Sequence, residues 1–196
     1  MSNILSEDYW TSRYQQNSIG WDVGEITEPI KQYLDQIENF RLKILVPGAG
    51  NGYEAQYALK KGFLNTYILD ISFFPLQNFH FTNPDFPRSQ IHHIDFFDHS
   101  GQYDLIIEQT FLCALPPEFR PQYVKKMKSL IKPGGKLVGL LFNRHFQNPG
   151  PPFGGEFGEY KNLFEKEFHI LKMEECYNSI PARQGHELFF ILQKSQ

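Results

Sequence analysis

Three glycines at alternate positions, Gly48, Gly50 and Gly52, follow an apolar run and precede a helical pattern in the stretch LVPGAGNGYEA, Leu45 to Ala55. Glycine at such a turn admits positive φ without a Cβ penalty and lets backbone N–H groups approach a ligand. Acids close the next three apolar runs, at Asp70, Asp95 and Glu108. Asp70 stands 18 residues after Gly52, where a carboxylate can accept hydrogen bonds from both hydroxyls of a ribose. Asp95 can accept from the exocyclic amine of adenine while Phe96 flanks the ring, so the implied ligand contains adenosine. Taken singly, each feature has a plain reading as a tight turn or a solvated strand end; their succession is what points to a ligand.

The glycine pattern also excludes. A dinucleotide fingerprint, G-x-G-x-x-G, would need glycine where Tyr53 stands, and no Lys-Ser/Thr pair completes a phosphate loop. An anionic rim suits a cationic ligand better than a pyrophosphate. S-adenosylmethionine, with adenosine at one end and a sulfonium at the other, meets both demands.

These residues need a scaffold that brings strand ends together. Arg41 to Val46 reads as a first strand, Tyr53 to Lys61 as a helix closed by Gly62, Thr66 to Asp70 as a second strand, Gln90 to Ile94 as a third and Tyr103 to Glu108 as a fourth. Tyr123, Val124, Met127, Leu130 and Ile131 share a helical face, Lys132-Pro133-Gly134-Gly135 ends that helix in a turn, and Lys136 to Phe142 forms a fifth strand. After a Gly/Pro-rich loop from Asn148 to Gly155, a helix over Glu156 to Glu167 leads into two strand-like runs, Phe168 to Cys176 and Glu187 to Gln193, able to pair antiparallel at one edge. Strands alternating with helices predict an α/β fold with a parallel sheet covered on both faces. Upstream, Thr27 as N-cap and Pro29 in the first turn start a helix with an Ile30, Tyr33, Leu34 and Ile37 stripe, whereas Trp10, Tyr14 and Trp21 lie in a polar arm with no stripe of their own.

Composition narrows the function classes. With 196 residues, 41% of them hydrophobic, one domain over 1–196 is expected. The net charge is -3 and no dense Lys/Arg run appears, which argues against nucleic-acid binding. Cys113 and Cys176 make no CxxC spacing, Cys113 reads as a buried small residue, and His92, His93 and His99 match no ligand motif and read as surface or strand-end histidines, so no metal is expected. No signal-like or membrane-spanning run is visible, which predicts a cytoplasmic protein without membrane partners. A monomer is expected. Aromatic residues make up 16% of the chain, with 19 Phe, 10 Tyr and 2 Trp, more than a core of this size requires.

LVPGAGNGYEA, LDIS at Leu69 to Ser72, HIDFF at His93 to Phe97, YDLIIEQTFLCALPPEFRPQYV from Tyr103 to Val124, and GPPF at Gly150 to Phe153 together resemble the thiopurine methyltransferase family, nearest its halide and thiol methyltransferase branch. WDVGEITEPI from Trp21 is similar to that branch's tryptophan-aspartate-leucine-glycine segment. The resemblance implies a Rossmann-like class I methyltransferase fold, a three-layer sandwich whose seven-stranded sheet has the order 3-2-1-4-5-7-6 with strand 7 antiparallel. Residues 1–40 would be the arm and helix covering the donor, and 41–196 the core. It further implies an S-adenosylmethionine-dependent enzyme, yielding S-adenosylhomocysteine, with a small-molecule sulfur or halide acceptor. Its cofactor-binding positions fall on Trp10, Tyr14, Trp21, Gly48, Gly50, Asp70, Asp95, Phe96 and Gln109. Tyr14 stands where the plant halide branch has tryptophan, and Gln109 where the family has a donor-contacting Tyr or Arg. No catalytic base is indicated. Asn143 to Gly155, with Pro151, Pro152 and Phe153, would shape the acceptor side. The rival readings are a catalytically silent donor sensor and, disfavoured by Tyr53, a nicotinamide-dependent oxidoreductase.

Overall fold

The computed structural model describes residues 6–195. Its strands are β1 (Ile44–Pro47), β2 (Thr66–Asp70), β3 (Ile91–His93), β4 (Tyr103–Gln109), β5 (Ile131–Phe142), β6 (His169–Glu175) and β7 (Glu187–Gln193). The α-helices are α1 (Glu7–Gln15), α2 (Glu28–Asp35), α3 (Tyr53–Lys61), α4 (Phe73–Thr82), α5 (Arg120–Leu130) and α6 (Phe157–Phe164). The strands form one sheet of order β3-β2-β1-β4-β5-β7-β6. Only β7 is reversed: it pairs antiparallel with β5 and β6, and the other pairings are parallel. This is the class I methyltransferase order that the resemblance implied.

The layers follow from the pleat. Successive side chains of a strand point to opposite faces, so a strand buried on both must be apolar throughout. In β1, Ile44 and Val46 pack with Ile30 and Leu34 of α2, Ala55 and Ala58 of α3, and Leu76 and Phe79 of α4. Leu45 faces the other way, into a cluster with Tyr123, Val124 and Met127 of α5 and Tyr160 and Phe164 of α6. The chain leaves β1 toward β2 on one side and later returns to β4 on the other, which opens a crevice beyond the carboxyl ends of β1 and β4. Helix α3 is bounded by two left-handed glycines, Gly52 (φ 71) and Gly62 (φ 99).

The arm, to which no element was assigned from the sequence, holds a helix, Glu7–Gln15, started by Ser6, whose side chain accepts from Tyr9 N–H; no residue of α1 is buried. Three expectations are corrected. Ile131 does not belong to the preceding helix. It is extended (φ -92, ψ 133) and opposite Tyr103, and the turn chemistry of Lys132 to Gly135 serves as an irregularity inside β5, between the Tyr103↔Ile131 and Leu105↔Lys136 pairs. Thr27 occupies the N-cap position of α2 without a side-chain capping bond, because its hydroxyl donates to Gln109 Oε1 at 2.9 Å instead. His99 is neither surface nor strand-end: it is buried, with Nε2 2.8 Å from Tyr103 Oη, and burial pushes its pKa down to about 4, so it is a neutral core histidine at physiological pH.

Candidate active site

The crevice is a cleft of ≈ 890 Å³, solvent at its mouth included, walled by Trp10, Tyr14 and Trp21 of the arm, Gly48 after β1, Asp70 at the end of β2, Asp95 and Phe96 after β3, and Thr110, Phe111, Cys113, Ala114 and Leu115 after β4. Pro151 and Pro152 close the side opposite the arm. A second compartment of ≈ 450 Å³ shares Tyr14, Trp21, Gly48 and Thr110 with it and adds Asp22, Gly50, Glu54, Gln109 and Arg183. The nine positions singled out in the sequence therefore converge on these two adjoining spaces. Phe153 does not join them: it folds back onto Gly150, where a side chain would collide with its ring, and its N–H donates to Cys113 O at 2.6 Å.

The acids at the strand ends act first on their own backbone. Asp70 accepts from Gly50 N–H (2.9 Å) through one oxygen and Ser72 N–H (2.8 Å) through the other, tying the glycine turn to the start of α4. Burial pushes its pKa up to about 6, against the pull of those bonds. Asp95 accepts from Phe97 N–H at 2.7 Å. Glu108 departs from the expected anionic rim. It lies on the same face of β4 as Ile106, is 0% exposed, and accepts from Phe111 N–H (2.8 Å), Leu112 N–H (3.1 Å) and Tyr123 Oη (2.5 Å). Burial raises its pKa to about 7. Glu108 thus holds the turn after β4 from beneath rather than facing the cleft.

That turn carries residues that sequence reasoning missed. Thr110 is in the left-handed region (φ 63), a sparsely populated conformation for a β-branched residue and one that concentrates at functional sites. No sequence signal marks it, since threonine disfavours that backbone. Phe111 lies directly over Gly48, and a Cβ on Gly48 (φ 58) would overlap its ring. Tyr14 Oη occupies the corresponding space over Gly50 (φ 51). The first two glycines therefore give way to an aromatic side chain each, one from the β4 turn and one from the arm.

The arm is fastened by polar contacts. Trp10 and Tyr14, one turn apart on α1, meet Trp21 edge-on with centroids 5.6 and 6.0 Å away. Thr11 Oγ1 and Ser72 Oγ are 2.7 Å apart, and Glu7 reaches His93 Nε2 at 2.9 Å. Asp22 accepts from Asn51 Nδ2 in the glycine turn, from Tyr53 Oη (3.0 Å) and from Gly24 N–H (2.6 Å). Arg183, from the β6–β7 connection, donates to Trp21 O at 2.6 Å. Asp22 was visible in the WDVG segment, but nothing along the chain pairs Trp21 with Arg183. On the opposite side, Arg120 Nη2 donates to Gly154 O at 2.5 Å and holds the proline-bearing loop. Cys113 is half-buried rather than fully buried and lines the cleft; its Sγ lies 3.0 Å from Thr110 O and its pKa is raised by burial, which makes it a poor nucleophile. Among the described residues no cluster of His, Cys, Asp and Glu is arranged to hold a metal ion.

Gly48→Ala tests this packing. The left-handed backbone alone should cost about 1–2 kcal/mol, with displacement of Phe111 in addition, measured as a lower urea midpoint. An unchanged midpoint would contradict the contact between Phe111 and Gly48.

Known proteins share both the pattern and the fold. Thiocyanate methyltransferase 1 of Arabidopsis thaliana is 29% identical over 193 residues, covering 95% of this chain and 85% of the relative. Thiopurine S-methyltransferase of Vibrio parahaemolyticus is 27% identical over 181 residues, 82% of each chain. Among solved structures, the Burkholderia thailandensis 1,6-didemethyltoxoflavin-N1-methyltransferase, with 1,6-didemethyltoxoflavin and S-adenosylhomocysteine bound, superposes with a TM-score of 0.79 at 16% identity, over 97% of this chain and 87% of its own. The pattern described as Thiopurine S-methyltransferase (TPMT) matches residues 5–189. The chain belongs to the thiopurine S-methyltransferase family and is an S-adenosylmethionine-dependent methyltransferase.

Proposed function

We propose that the acceptor of the methyl group is a small molecule attacking through sulfur or as a halide: a thiol, a thiopurine-like ring, or an anion such as thiocyanate or iodide. The observation that supports this is the chemistry of the cleft wall. Among the described residues that line the main cleft none is Lys, Arg or His, and the titratable side chains are Tyr14, Asp70, Asp95 and Cys113. Burial drives the Tyr14 phenol and the Cys113 thiol well above their ordinary values, and Asp70 is committed to two backbone N–H groups. An acceptor that sheds a proton as it attacks needs a base within hydrogen-bond reach. A thiolate or halide arrives without that proton.

The residues present fit the donor. Asp70 is set to receive the ribose, Asp95 and Phe96 the adenine, and Gly48, Gly50 and Gln109 the amino-acid end, while Trp10, Tyr14 and Trp21 of the covering arm face the sulfur. When bound, S-adenosylmethionine supplies a methyl group made electrophilic by a positively charged sulfur. The chain's part is to align and to dehydrate. Alignment of acceptor and methyl is the larger contribution. Aromatic walls exclude water, which favours an encounter in which opposite charges cancel. They also attract a sulfonium by about 0.5–2 kcal/mol per good contact.

Two outcomes follow. Given the donor and a panel of iodide, thiocyanate, an aromatic thiol, a phenol and a primary amine, the protein should methylate only the sulfur and halide acceptors; product formed from the phenol or the amine instead would overturn the acceptor class. Asp70 must be ionised to accept both ribose hydroxyls, and its pKa is raised to about 6. Affinity for S-adenosylhomocysteine should therefore be full above that value and fall as pH drops through about 6. Asp70→Asn should lower affinity about 10–100-fold at pH 7.5 and abolish that pH step. Calorimetry showing the step intact in the variant would place the ribose elsewhere.

A further inference from the structure

We propose that Arg183 binds the carboxylate of the donor's amino-acid end and, through Trp21, links that contact to closure of the arm. The inference rests on the donor assignment above. Arg183 is 9% exposed and lines the smaller compartment together with Gly50, Asn51 and Gln109. Among the described residues the charged side chains on those walls are Asp22, Glu25, Glu54 and Arg183, one cation with three acids. A zwitterionic amino-acid group brings one ammonium and one carboxylate into that space. The acids suit the ammonium. The carboxylate, which is costly to bury without a charged or hydrogen-bonded partner, has one guanidinium on these walls to meet it.

The other candidates for that contact are engaged or uncharged. Gly50 N–H is given to Asp70, and Gln109 is neutral, with its oxygen accepting from Thr27. Arg183 retains capacity. A guanidinium has five N–H donors. Two serve here, Nη2 to Trp21 O at 2.6 Å and Nη1 to Glu187 Oε1 at 3.4 Å. Packing over the Phe142 ring, 5.4 Å from its centroid, holds the plane of the fork. A buried, oriented guanidinium with donors to spare, bonded to the arm's backbone beside one of its tryptophans, is placed to register both an occupied compartment and a closed arm. Glu187, itself buried, takes one of those donors, and the remaining ones are free to meet a second carboxylate.

The test compares two probes, S-adenosylhomocysteine and 5′-methylthioadenosine, which share the nucleoside and the thioether but differ in the amino-acid end. By calorimetry, wild-type protein should bind S-adenosylhomocysteine the more tightly. Arg183→Gln should weaken S-adenosylhomocysteine about 10–100-fold and leave 5′-methylthioadenosine within about twofold, a result that also shows the variant folded; Arg183→Lys should recover part of the loss. An equal loss for both probes would reduce Arg183 to a fastening of the arm, and unchanged S-adenosylhomocysteine affinity would assign the carboxylate to backbone N–H groups at the start of α3. Either result overturns the proposal. Wild-type protein that binds neither probe would overturn the donor assignment itself, and this proposal with it.

Discussion

Each strand that ends at the cleft leaves the N–H groups of the following turn without sheet partners, and a buried backbone donor left unpaired is costly. A carboxylate at or near the strand end supplies the acceptor: Asp70 for Gly50 and Ser72, Asp95 for Phe97, Glu108 for Phe111 and Leu112. Bonds of this charge-assisted kind are about twice as strong as neutral ones, and they work against the burial that raises Asp70 to about 6 and Glu108 to about 7. The turns are thereby fixed before any ligand arrives. Phe111 sits over Gly48 because Glu108 holds its N–H, and Gly50 faces the arm because Asp70 holds its own. The cleft's shape descends from these bonds.

The opposite wall obeys a different rule. Helix α1 buries no residue in the core, and the arm's fastenings to the body, at Glu7, Thr11, Asp22 and the Trp21 carbonyl, are hydrogen bonds and the exposed Glu7–His93 contact. Exposed ion pairs contribute little, and elements with few buried apolar contacts open locally at low free energy. A rigid floor and a weakly fastened cover suit a site that must admit two small molecules and then exclude water. The aromatic richness of the chain has its use at this junction: Trp10, Tyr14 and Trp21 line the cover, while Phe96 and Phe111, 5.0 Å apart, line the floor.

Much of this was legible along the chain, and the exceptions have physical causes. The boundaries of β2, α3 and β7 follow the sequence closely because short apolar and aromatic runs mark the two strands and left-handed glycines the helix. The glycine turn and the acids at 70 and 95 identify the cleft because a parallel sheet gathers its strand ends there. Glu108 misleads because its direction depends on the pleat of β4, which sends it toward Tyr123 instead of the rim. Helix α1 escapes a periodicity search because it has no apolar stripe to detect; a cap at Ser6 and two aromatics facing the cleft define it. Thr110 and Arg183 depend on pairings across the fold: the β4 turn for one, a partner 162 residues away for the other.

The central claim is that α1 and the segment through Trp21 close over a donor seated against Gly48 and Gly50. Amide hydrogen exchange with and without S-adenosylhomocysteine measures this directly. Glu7–Gln15 should exchange fast in the free protein and slow on binding, together with Gly48 to Gly52, while the strands stay protected throughout. Binding that slows exchange elsewhere and leaves Glu7–Gln15 unchanged would contradict it.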